Sequence, residues 1–405
     1  MRDLVIHAGR QKTGSTYLQA VLAANRARLE RAGIGMAPYW NPVNGGHWDF
    51  LDALVREGAE RVLAATAQVP GETVLVSNED LGGFLLQPAT GDRAAGELLR
   101  AARRRDFRVR VLYWVRRQDF LAESHFAQGV RTWYSGPATA YPTEGDDHDG
   151  NLRRLEAGFG RGNVTALLYR DEAANDLAGD LLAALGLARL RPELALDLGR
   201  RNASLPRRKT LLLSHVPKRW RHRRTRPKAA EVGRAIVRAV AASDAVADDG
   251  VRFMLPPAVR RDLVARHLAG NRALVARHRI ADPGGFVALP APDPGWRPPA
   301  PIRPGELAAV LHDAARCSGP STAPPPASST GSRGWRRSSC ASPPAPAPPE
   351  RPRLRCAKRA LPTRRRPCYD RRRAGPAPGY PRAGLPFWRR ASRCGMPPPP
   401  PECPR

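Results

Sequence analysis

Cysteine is missing from the first 316 residues of this 405-residue chain, and so is any H-x-x-x-H pair. That stretch therefore offers no metal-ligand spacing, and no metal belongs to the expected site. The six cysteines fall later, at 317, 340, 356, 368, 394 and 403, with no C-x-x-C pair among them. Neither disulfides nor zinc is inferred from such an arrangement. Long apolar runs are missing too. No stretch approaches ~20 uninterrupted apolar residues, so no membrane span is expected. The first strand pattern begins by residue 4, which leaves no room for a basic leader and an apolar signal core, and a cytoplasmic protein is the expectation. Acid is scarce: 67 Lys and Arg stand against 37 Asp and Glu, for a net charge of +30.

Composition divides the chain. Residues 1–290 carry apolar periodic segments separated by turn signals, 291–316 read as a linker, and 317–405 are Pro, Arg, Ala, Ser and Gly with almost no aliphatic run. Runs such as Pro397 to Pro401 cannot continue a helix or sheet, and the tail buries too little to offset its ordering entropy, so it reads as disordered. A shifted reading frame through GC-rich DNA produces the same composition. In the first part, apolar strands at Leu4–Ile6, Thr73–Ser77, Val109–Val115 and Asn163–Leu168 alternate with helical patterns. That alternation predicts an α/β fold of three layers, with a central parallel sheet covered on both faces. One helix is expected from Leu18 to Ala32, ending at Gly33 or Gly35, and two more within 229–280.

Three strand ends carry chemistry. After Leu4-Val5-Ile6 comes Gly9-Arg10-Gln11-Lys12-Thr13-Gly14-Ser15-Thr16, followed at once by an amphipathic helix. Strand, glycine-containing loop and helix in that order gather backbone N–H groups and a positive helix end around one point, suited to phosphate or sulfate, and Lys12 adds a full charge. The lysine precedes Gly14, whereas in the nucleotide-triphosphatase loop it follows the last glycine. Val109–Val115 ends in Arg116-Arg117, with Ser124 eight residues beyond Arg116. A guanidinium fork and a hydroxyl one to two turns into a helix can share a second phosphate. Thr73–Ser77 ends in Ser77-Asn78-Glu79, so Glu79 should face the same crevice, since ligands of open parallel sheets lie at the carboxyl ends of strands.

The string from His7 to Gln19 resembles the 5′-phosphosulfate loop of sulfotransferases that use 3′-phosphoadenosine 5′-phosphosulfate (PAPS), in particular their bacterial branch. The resemblance covers roughly residues 1–280 and is specific at the loop, at the Arg116/Ser124 pair and at the Glu79 strand. It implies a P-loop-nucleotide-hydrolase-like sulfotransferase fold. It also implies that Arg10 to Thr16 hold the 5′-phosphate, that Arg116 and Ser124 hold the 3′-phosphate, and that Lys12 stabilises charge on the leaving group. Sulfuryl transfer to a hydroxyl needs a base for the acceptor proton. Glu79 is the first candidate and His47, in Gly45-Gly46-His47-Trp48, the second, with His7 expected to pack beneath the loop. The Arg-Lys-Gly string of cytosolic eukaryotic members is absent, and an amino-terminal anchor like that of Golgi members is not expected. Residues 131–149, with Trp133 and Tyr134, are expected to be a loop over the acceptor site.

The basic run from Arg207 to Lys228 contains no acid, and Pro217 and Pro227 make it a loop between helices. It reads either as a solvated loop or as a contact for a polyanionic acceptor such as a carbohydrate. Three function classes follow. The leading one is a sulfotransferase acting on a hydroxyl or amine. A P-loop nucleotide kinase or hydrolase is disfavoured by the lysine position and by the lack of a magnesium-binding aspartate after a strand. A basic nucleic-acid-binding protein is the third, without the aromatic–basic interleaving or helix-turn-helix pattern that would support it.

Overall fold

The computed structural model describes residues 1–41, 45–88, 90–141, 147–170, 176–198, 205–217, 227–244, 246–281 and 283–317. They lie in one compact unit, Met1–Pro325. Strand β1 (Arg2–His7) leads into helices α1 (Ser15–Ala24) and α2 (Arg26–Arg31), then β2 (Ile34–Met36), α3 (Trp48–Glu57) and α4 (Ala59–Ala67). Strand β3 (Thr73–Ser77) is followed by α5 (Glu79–Leu85) and α6 (Gly91–Arg103). Next come β4 (Phe107–Val115), α7 (Gln118–Thr132), α8 (His148–Phe159), β5 (Val164–Leu168) and α9 (Leu177–Ala184). Helices α10 (Arg207–His215), α11 (Pro227–Ala242), α12 (Pro257–His278) and α13 (Pro304–Cys317) complete the described part.

Among the described residues the five strands form one sheet in the order β2-β3-β1-β4-β5, and every pairing is parallel. Register brings the strand ends together: His7 pairs with Ser77 on one side and with Leu112 on the other. The strands are apolar almost throughout because both faces are covered. Leu4, Ile6, Val74, Val76, Val109 and Val111 point to one face, where α3, α4, α6 and α8 supply Phe50, Leu63, Leu98 and Leu155. Val5, Leu75, Leu112 and Trp114 point to the other, where α1 and α9 supply Leu18, Leu22, Leu181 and Leu182. This period-two division makes the strand assignments in the sequence robust. Each such side chain, fully buried, contributes about 1.5–3 kcal/mol.

Several readings need correction. The helix expected over Leu18–Ala32 is two helices, broken at Asn25, whose amide donates to the Val21 and Ala195 carbonyls at 2.9 Å each. Past Gly33 lies β2, too short for any periodicity to register. Arg207 and Arg208 do not sit in a solvated loop. They open α10 and are buried, Arg207 near Asp249 at 3.4 Å and Arg208 on Glu306 at 2.7 Å. The rest of that basic run, 218–226, lies outside the described residues.

In the segment 291–316, read as a linker, α13 is helical from Pro304, and its Val310 is fully buried. Val310 joins a second apolar cluster with side chains of α7, α10, α11 and α12. The expected acceptor loop 131–149 begins inside α7 and ends inside α8, with Phe126, Trp133, Tyr134 and Tyr141 packed edge to edge between them. The expected disordered tail lies outside the described residues beyond Cys317. No described helix is long and apolar enough to cross a membrane.

Candidate functional site

The loop between β1 and α1 is held in a shape few residues tolerate. Gly9 and Gly14 have φ of 32° and 81°, and Lys12 itself has φ of 69°. A side-chain-bearing residue held in the left-handed region costs of order 1–3 kcal/mol, and such strain concentrates at ligand clamps. Gly14 caps α1, and Leu18 N donates to its carbonyl at 3.1 Å. The N–H groups of Ser15, Thr16 and Tyr17 have no acceptor within the helix and face its open end. Thr13 is buried and its hydroxyl donates to the Arg10 carbonyl at 2.5 Å, which closes the loop on itself. Gln11 is exposed and donates to Asp80 at 2.5 Å, and Thr16 is exposed as well.

Glu79 arrives from the neighbouring strand. Asn78 caps α5 by accepting from Asp80 N and Leu81 N at 2.9 and 3.2 Å, which fixes the direction of its first turn. Gly82 then lets α5 settle on the loop, since a Cβ there would stand 2.1 Å from the Ala8 carbonyl oxygen. The result places Glu79 beside Gly9, in hydrogen-bond contact with the Ser15 hydroxyl and within the field of Lys12. Burial pushes the Glu79 carboxyl above its ordinary range, while Ser15 and Lys12 oppose that shift. The Ser15 hydroxyl expected to hold phosphate is thus engaged by Glu79.

Arg116 comes from the β4 end. Its Nη1 donates to the Lys12 carbonyl at 2.8 Å, and its guanidinium lies 4.8 Å above the Tyr169 ring. His148, the first residue of α8, bonds the Arg116 carbonyl at 2.6 Å and fixes the main chain there. Ser124 is half-buried in the second turn of α7. Arg117 faces elsewhere, paired with Asp119 at 2.7 and 3.0 Å and stacked on Phe120. Arg116 thus touches the loop between β1 and α1 directly.

The electrostatics of the loop are one-sided. Burial, Arg116 and Arg131 all push the Lys12 ammonium below its ordinary pKa, and Glu79 pulls the other way. His125, next after Ser124, is held neutral by burial together with Arg10 and Lys12, down to about 3. Sequence reading missed both Arg131 and His125. Their signal was faint: each stands three residues from Gln128 on α7, a helical spacing that an amphipathic pattern hides.

The histidines expected near the site have structural partners. His47 is fully buried; its N donates to the Ser77 carbonyl at 2.9 Å, and its Nδ1 accepts from Ser77 N at 3.1 Å. Asn78 donates to its carbonyl at 2.8 Å. Burial drives the ring pKa down to about 4, so it is neutral. With the Nδ1 lone pair occupied by a backbone N–H, the ring proton sits on Nε2 and no lone pair is left to accept another. His7 is buried against the edge of Trp114 and bonds the Ser77 hydroxyl at 2.9 Å.

Next to the loop lies a cavity of about 590 Å³ at the ends of β4 and β5. Arg117, Phe120, Tyr169, Arg252, Phe253 and Arg260 are among its lining residues. Tyr169 joins it to the loop, since its ring also stands 3.0 Å from where a Cβ on Gly14 would sit. Asp119 neutralises Arg117 and Arg260, the latter at 2.6 Å, whereas Arg252 rests on the Phe120 and Phe253 rings. Such walls suit a flat ring and an anion. Among the described residues no group of three His, Cys, Asp or Glu side chains is arranged to hold a metal. Comparison with protein-family models, with curated proteins and with solved structures finds no match to this chain.

Proposed function

We propose that this chain is a sulfotransferase of P-loop-like fold that moves a sulfuryl group from PAPS to a hydroxyl or amine acceptor, with the cytoplasm as its setting. One observation carries the reading: Lys12, Arg116 and Arg131 act on a single half-buried point at a helix start, with Glu79 as the opposing carboxylate. Cations gathered around one part-buried loop favour an anion there. The neighbouring cavity has room and aromatic walls for a nucleoside.

In this reading the open N–H groups of Ser15 to Tyr17 hold the 5′-phosphate, and Lys12 meets the bridging oxygen as charge grows there. Arg116, helped by Ser124, takes the 3′-phosphate. The acceptor oxygen forms its bond to sulfur as the bond from sulfur to the bridging phosphate oxygen breaks, and Glu79 receives the acceptor proton. Adenosine 3′,5′-bisphosphate leaves. Glu79 is preferred to His47 because its carboxylate faces the loop, whereas the His47 lone pair is taken. Positioning and charge stabilisation supply most of the rate in such in-line transfers. An anionic carbohydrate is one acceptor class that a basic surface would attract.

The test is transfer of labelled sulfate from PAPS to a panel of sugar, phenol and amine acceptors, with Lys12→Ala as control. The reading expects turnover by the wild-type chain and loss of at least about a hundredfold in the variant, with its circular dichroism unchanged. Near-normal turnover in Lys12→Ala contradicts it.

A further inference from the structure

His125 has no part in the scheme above, yet it stands closer to the phosphate loop than its place in α7 suggests. Its ring lies against the Gln11 backbone, and its Nε2 is sealed from solvent with no hydrogen-bond partner. The charged groups acting on it are Arg10 and Lys12 from the loop and Arg116 from the β4 end, all of them cations. A buried imidazole nitrogen without a partner is unusual, because an unmade buried hydrogen bond is destabilising. Here the surrounding cations explain why no proton from solvent has satisfied it. The balance changes once a multiply charged anion enters the same cluster, because an opposite charge within ~4–6 Å favours the protonated ring.

We infer that His125 is a ligand-linked proton site: it takes a proton from solvent when a bisphosphate nucleotide fills the loop, and as imidazolium it becomes one more cation for that anion. The inference rests on the donor reading and adds to it a binding residue and a pH dependence. Neutral in the empty protein, His125 spares the cluster a further positive charge; protonated in the complex, it strengthens the grip. Nucleotide affinity therefore rises as pH falls, by linkage between proton and ligand.

Calorimetry of adenosine 3′,5′-bisphosphate binding in buffers of differing ionisation enthalpy counts the protons taken up. The comparison is between the full-length chain and His125→Gln at pH 5.5. Ionisation of the ligand's own phosphates is common to both proteins, so the difference isolates His125. Wild type is expected to take up about half a proton more per nucleotide than the variant, from a shift of two to three units at one imidazole. Equal proton counts with binding retained overturn the inference and leave the donor reading standing. If neither protein binds the nucleotide, the donor reading falls and this inference with it. Should His125→Gln not fold, spectra of ¹³C-histidine-labelled wild type decide. One ring passing from neutral to imidazolium on saturation supports the inference, and no such change overturns it.

Discussion

In the proposed reaction, Glu79 decides where the acceptor proton goes. Its carboxyl lies beside the loop, and burial holds its pKa above the ordinary carboxylate range. A base must be ionised to accept a proton, so kcat should climb as pH rises through that elevated pKa and then level off. Glu79→Gln keeps the shape and the bond to Ser15 but has no basic oxygen. It is expected to lower kcat by about 10²–10⁴-fold and to abolish the acidic limb of the pH profile, with little change in nucleotide affinity. An unchanged profile in the variant would remove Glu79 as the base. His47 offers the contrast. Its sequence context, a glycine pair before a histidine and a tryptophan, is as suggestive as that of Glu79. What separates them is a backbone N–H on Nδ1, which no sequence pattern reports.

At the scale of elements, α7 does three jobs with one stretch of chain. Its first turn follows the arginine pair, its middle carries His125 to the Gln11 backbone, and its Glu123 clamps the chain that precedes α12. The Glu123 carboxylate accepts from Met254 N and Leu255 N at 3.1 and 2.7 Å, just after Arg252 and Phe253 of the cavity wall. Burial outweighs those bonds and raises its pKa to about 7. A carboxyl raised in the folded state stabilises the fold fully below its unfolded pKa, and that contribution is lost as pH rises towards 7. Unfolding free energy should therefore fall between about pH 4.5 and 7, at up to about 1.4 kcal/mol per pH unit from this group. Subtracting the Glu123→Gln curve from that of wild type should leave this slope, as measured by urea denaturation across the range. Parallel curves for the two proteins would count against it.

The same scale marks what could be read without coordinates. Strands β1, β3, β4 and β5 were legible because two-faced burial concentrates β-branched and apolar residues in short runs. The loop between β1 and α1 was legible because its glycines mark the positive-φ turns at Gly9 and Gly14. β2 was not, being three residues long with a glycine at its centre. The burial of Arg207 and Arg208 was not, because a run of basic residues looks solvated until Asp249 and Glu306 arrive from distant positions. Arg131 and the ring of His125 reach the loop only through the path of α7, which spacing alone does not reveal.

For the molecule as a whole, a parallel sheet sets the ends of β1, β3 and β4 side by side, and register does the rest. His7, Ser77 and Leu112 lie abreast, and the proposed crevice is where Arg116 donates to the Lys12 carbonyl and Glu79 comes within the field of Lys12. The central claim is that this crevice recognises both phosphates of one adenosine, and the claim predicts an order of ligands. The most direct measurement is competitive calorimetry of the full chain with adenosine 3′,5′-bisphosphate, adenosine 5′-phosphate and ATP with magnesium. Charge-assisted bonds from Arg116 to the 3′-phosphate should make the bisphosphate bind about 10–100-fold more tightly than the monophosphate, and more tightly than ATP. Equal affinities for bisphosphate and monophosphate, or a preference for ATP with magnesium, would contradict the account.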